Sequence, residues 1–77
     1  MNDGTLIRTL AEITRRCAYE EARADFLGQL ADDYACWGVA SEADRLRHEA
    51  RCHRVTAMRL RALAGARMLA DQHGTSG

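Results

Sequence analysis

The apolar positions of this chain recur at steps of three and four over most of its length, the pattern of helices that each bury one face. The first run is Leu6, Leu10, Ile13, Cys17, Ala24, Leu27, Ala31 and Tyr34, with Glu20 standing where the seam asks for an apolar residue. Phe26, Leu30 and Trp37 widen the stripe in its second half. Asn2, Asp3 and Thr5 are candidate N-caps, since each side chain can accept a bond from a backbone N–H left over at a helix start. Gly38 is placed to end the helix in a left-handed turn, with Val39 folding back toward Tyr34. Ser41 reads as the N-cap of a second helix, with Glu42 in its first turn and Asp44 at the capping-box position. The second seam is Ala43, Leu46, Ala50, His53, Ala57, Leu60 and Ala64, flanked by Val55, Met58, Ala62 and Leu69; His73 and Gly74 read as its end.

Two helices over about residues 5–37 and 42–72, joined by a short turn, make an all-α antiparallel helical hairpin. It forms a single domain over residues 1–77, with 74–77 expected to be a flexible tail. Asp25 can alternatively cap a new helix, and a break near Ala24–Asp25 gives a three-helix bundle. A lone hairpin hides one seam and leaves any second stripe in water. Pairing two hairpins into a homodimeric four-helix bundle covers both. Leu46, Ala50, His53, Ala57, Leu60 and Ala64 are assigned to that self-association.

Composition sharpens the need for a partner. Much of the 47% hydrophobic content is Ala, which packs closely but removes little apolar area from water. A chain of 77 residues is marginal alone unless something adds to its core. Three Cys argue against a closed disulfide framework, because one thiol is left over. The formal net charge is zero, which argues against a generally basic protein that coats nucleic acid. The charge is unevenly spread: residues 1–40 hold four Arg against seven acids, and residues 41–77 hold seven Arg against four. No basic-then-apolar leader follows Met1 and no run reaches membrane-spanning length, so the expectation is a cytoplasmic protein without membrane contact.

Candidate chemistry is sparse. In a hairpin turning near residues 39 and 40, facing positions sum to about 79, which sets Cys17 opposite Ala62, Cys36 opposite Ala43 and Cys52 opposite Leu27. Three separated thiols read as small buried hydrophobes. His48 and Cys52 sit four apart on one helix face and are the best metal candidates. The pair resembles the start of the His-x3-Cys-x2-Cys segment of zinc-binding anti-sigma factors, with Val55 where the last Cys stands in that pattern. No metal and no cofactor is assigned. His53, on the seam, reads as a hydrogen-bonded core or interface histidine.

Arg47, Arg51, Arg54 and Arg61 share one face of the second helix. The facing rule sets Asp32 against Arg47, Asp25 against Arg54 and Glu20 against Arg59, and leaves Arg51 and Arg61 without an acid. Tyr34 and Trp37, with Phe26, gather near the turn as either an end plug or a binding hot spot. Arg51, Arg61, Tyr34 and Trp37 are therefore the candidate partner-binding residues. No nucleophile, base and orienting group stand in readable geometry and no Gly-rich phosphate loop is present, so no catalytic residue is assigned.

Three functions fit such a chain. The first is a protein-protein interaction module, a small regulator, inhibitor or adaptor of the kind that phages and plasmids encode, acting on itself and on a further protein. The second is an RNA- or DNA-binding dimeric hairpin, by fold analogy with plasmid copy-control proteins. The third is a zinc or redox sensor built on His48 and Cys52.

Overall fold

The computed structural model describes residues 9–76. Two helices fill them: α1 runs Leu10–Cys36 and α2 runs Ala40–Ser76, packed as an antiparallel hairpin. α1 passes unbroken through Ala24 and Asp25, so the hairpin holds and the three-helix bundle does not. Ala24 is buried in the seam, and Asp25 is exposed with its carboxylate 4.0 Å from Arg54 rather than capping a helix.

The caps explain where each helix starts. Thr9 has an extended backbone and caps α1: its hydroxyl accepts from the Glu12 N–H, and the Glu12 carboxylate accepts from the Thr9 N–H at 3.0 Å. This Thr-Leu-Ala-Glu capping box carries the sequence signature of a helix start, and α1 therefore begins later than the expected position near residue 5. The expected caps Asn2, Asp3 and Thr5, and the seam residue Leu6, lie outside the described residues. α2 begins at Ala40, where the Val39 carbonyl accepts the first helical bond from the Ala43 N–H at 3.1 Å. Ser41 is thus already inside the helix and does not cap it. Asp44 faces Arg47 at 3.8 Å instead of closing a capping box. At the far end helical backbone continues past His73 and Gly74 to Ser76. A glycine disfavours a helix by about 1 kcal/mol but does not forbid it.

The turn follows the expected form. Gly38 has φ +81°, the Val39 N–H donates to the Tyr34 carbonyl at 2.9 Å, and the Gly38 N–H donates to the Ala35 carbonyl at 3.1 Å. These two bonds satisfy carbonyls that the helix end would otherwise leave open.

The seam is the predicted alternation. Ile13, Cys17, Glu20, Ala24, Leu27 and Ala31 of α1 are buried against Ala43, Leu46, Ala50 and Ala57 of α2. Leu27, Ala31, Leu46 and Ala50 form its central cluster, and Leu30 and Tyr34 pack onto it. Alanine on both sides lets the helices approach closely, but removes little apolar area from water. The molecule is correspondingly thin, with extents of 59 × 27 × 14 Å.

Candidate association surfaces

The six residues expected to join two copies occupy this seam inside one chain. Leu46, Ala50 and Ala57 are buried, His53, Leu60 and Ala64 are half-buried, and α1 supplies the covering surface. α1 has the same three-four spacing, so it is the nearest match for that stripe. Leu46, Ala50 and Ala57 thus have their surface taken up within the chain, and His53, Leu60 and Ala64 keep part of theirs.

Glu20, the polar residue in the apolar seam, is 4% exposed. Its Oε1 lies 2.5 Å from His53 Nδ1, and its Oε2 accepts from Arg16 Nε at 2.9 Å. Both carboxylate oxygens are therefore engaged, as a buried charge requires. The bond from His53 does most to hold the Glu20 carboxyl below its ordinary value; burial opposes this, and Arg16 adds to the lowering. His53 is thus the hydrogen-bonded seam histidine that its position suggested, and its partner is Glu20. Glu20 does not reach Arg59, as the facing rule had it. Next to it Cys17 donates from Sγ to the Ala57 carbonyl at 3.4 Å, five residues short of the expected Ala62. The turn at Gly38 and Val39 is tight and α2 starts at Ala40, so seam partners sum to less than 79.

One flank of the hairpin is a ladder of opposite charges. Asp32 meets Arg47 at 3.4 Å and Asp25 meets Arg54 at 4.0 Å, both as expected. Glu21 pairs with Arg61, which corrects the reading of Arg61 as an arginine without an acid. Glu21 was passed over because the facing rule set it against Met58, three residues short of Arg61. Arg51 is exposed and has no acidic partner among the described residues; it lines a shallow groove with Asp25, Asp32, Arg47 and Arg54.

The other flank of α1 is aromatic. Tyr19, Arg23, Phe26, Leu30, Asp33 and Trp37 follow steps of four and three and so share one side of the helix. Tyr34 and Trp37 meet edge to face, with centroids 5.4 Å apart, where the helix ends. Tyr34 is half-buried against the core cluster, while Trp37 is 68% exposed. Phe26 does not join them; Arg23 lies over its ring at 5.5 Å. The end-plug expectation therefore fits Tyr34 and fails for Trp37 and Phe26.

α2 presents a second apolar stripe, outward. Val55 lies two residues from both His53 and Ala57, about 200° round from each, and so points away from the seam. Ala62 and Leu69 follow at steps of seven on the same outer column, with Met58 and Leu63 to either side. All five are exposed. His48 begins this column one repeat before Val55, and Cys52 lies between them. Cys52 and Cys36 are exposed, so only Cys17 behaves as a buried hydrophobe; Cys52 stands one residue off the seam and does not face Leu27. Among the described residues no three His, Cys, Asp or Glu side chains converge as a metal-binding group, and no helix is long and apolar enough to cross a membrane. No protein-family model, curated protein or solved structure matches this chain.

Proposed function

We propose that this chain is a protein-protein interaction module whose first partner is a second copy of itself. One observation carries the reading. Among the described residues nine large apolar side chains are 40–68% exposed, whereas the buried core has only Ile13, Leu27 and Leu46 of comparable size beside its alanines and Cys17. Exposed apolar residues scattered singly are ordinary on a protein surface, but aligned stripes mark contact sites. Here Val55, Met58, Leu63 and Leu69 fall along the outer side of α2, and Tyr19, Phe26 and Trp37 along a flank of α1.

The two stripes have different characters. The α2 stripe is aliphatic, with Ala62 and Ala66 between its larger residues and one charge, Arg59, which suits close helix pairing with its own copy. The α1 flank is aromatic, and exposed Trp and Tyr are the residues that anchor contacts with other proteins. Trp37 is the anchor for such a partner, with Tyr34 holding it from beneath. The nucleic-acid alternative is less well supported. Asp32, Asp25 and Glu21 engage Arg47, Arg54 and Arg61, so a phosphate backbone on that flank would meet carboxylates as well as guanidinium groups. Arg51 remains the one member of that set to test. Replacing Val55 and Leu69 together with Asp is expected to leave the helix content unchanged and abolish pairing in a sedimentation experiment. Pairing that survives both substitutions would remove the α2 stripe from the reading.

A further inference from the structure

We infer that His48 and Cys52 are half of a zinc site, completed by the same two residues of a second copy. His48 Nε2 and Cys52 Sγ lie 3.7 Å apart on the exposed side of α2. Zinc bonds of about 2.0–2.1 Å to His nitrogen and about 2.3 Å to Cys sulfur, at a tetrahedral angle, set these atoms about 3.6 Å apart. The side chains thus already stand at the edge length of a tetrahedral zinc site. Each shows only the other as a hydrogen-bond partner among the described residues. A mixed nitrogen-sulfur set suits zinc over the harder cations, which take oxygen ligands.

One chain supplies two ligands, and a closed structural site takes four. The outer stripe of α2 indicates where the other two come from. His48, Cys52, Val55, Arg59, Ala62, Ala66 and Leu69 form one continuous run at steps of four and three, the spacing by which two helices mesh along their length. When two copies lie parallel along this run, like meets like: Val55 packs on Val55, Ala62 on Ala62 and Leu69 on Leu69. Met58 and Leu63 then close the sides. His48 and Cys52 of both copies come together as adjacent layers at one end, giving two nitrogens and two sulfurs. Arg59 is the one charge in the run, and its long stem lets the guanidinium reach water beside the contact. On binding, each Cys52 thiol releases its proton and binds as thiolate, so one zinc displaces two protons from the pair of chains.

This inference rests on the association reading and can fail separately from it. The test uses the reduced full chain, stripped with a chelator and titrated with zinc chloride, with mass followed by light scattering. The expected result is saturation at one zinc per two chains and a dimer dissociation constant at least tenfold lower with zinc. Cobalt in place of zinc should give the intense visible and near-ultraviolet bands of a tetrahedral thiolate complex. Cys52→Ser and His48→Ala should each weaken zinc binding at least tenfold without changing helicity, while Cys36→Ser binds like the parent. A metal-free dimer that ignores zinc leaves the association reading standing and overturns the shared site. A chain that takes one zinc without pairing, or binds zinc equally well as Cys52→Ser, overturns it too. A chain that stays single with and without zinc overturns both readings.

Discussion

The residue that most needs explaining is Glu20, a carboxylate sealed into a seam whose other fully buried residues are Ala, Leu, Ile and Cys. Its His53 and Arg16 partners compensate the lost hydration, and the His53 contact crosses the hairpin, so it also fixes how the two helices line up. His53→Ala leaves the carboxylate with Arg16 alone. It is expected to lower unfolding free energy by about 2–3 kcal/mol in a urea titration. Glu20→Leu with His53→Leu replaces the pair by apolar contact and should recover most of that loss. A double variant no better than His53→Ala would mean that the pair is not the source of the effect. The pH dependence follows from the lowered Glu20 carboxyl. A depressed carboxyl contributes stability in full above its ordinary value of 4.5, and that contribution disappears as pH falls through the folded value. Thermal unfolding should therefore show a loss of stability below about pH 4.5 that is smaller in Glu20→Gln. Trp37 gives the opposite case. Most of its ring is in water, so Trp37→Ala should change stability by less than about 0.5 kcal/mol. A much larger loss would make it a structural plug rather than a contact residue.

At the scale of the element, the ends of α1 set the shape of the hairpin. Gly38 is at φ +81°, where a Cβ is unfavourable even though the surrounding space is open. Gly38→Ala should lower the unfolding free energy by about 1 kcal/mol, and Thr9→Ala, which removes the capping hydroxyl, by a similar amount. Calorimetry of the two variants checks both, and an unchanged melting temperature for Gly38→Ala would contradict the turn described. Both seams and the Gly38 stop were readable from the sequence, because three-four spacing and a lone glycine between two periodic runs have few other meanings. The helix starts were less legible. Several polar residues near the beginning compete as caps, and only Thr9 carries a Glu three places on. Side-chain partners were legible in part. Counting outward from the turn found Asp32 with Arg47 and Asp25 with Arg54, and missed Glu21 with Arg61 and Glu20 with His53. The seam pairs fall below the expected sum and the Glu21–Arg61 pair above it, because seam and flank side chains meet at different heights along the helices, and a single facing sum does not display this.

For the molecule as a whole, the described parts of the two helices bury apolar side chains against each other along an alanine-rich seam. Among the described residues, nine large apolar side chains are exposed, against Ile13, Leu27 and Leu46 buried in the seam. Sequence reading anticipated this excess but assigned self-association to seam residues, of which α1 buries Leu46, Ala50 and Ala57, since both α2 stripes share the same spacing. The hairpin itself decides between them: the stripe with Ala at every second step accepts α1, and the stripe with Val55, Met58 and Leu69 is left outward. The most direct measurement is the solution mass of the reduced full chain, by light scattering over a wide concentration range in the presence of chelator. The mass is expected to approach two chains as concentration rises. A mass of one 8.6 kDa chain at every concentration, with the helices intact, would rule out self-association.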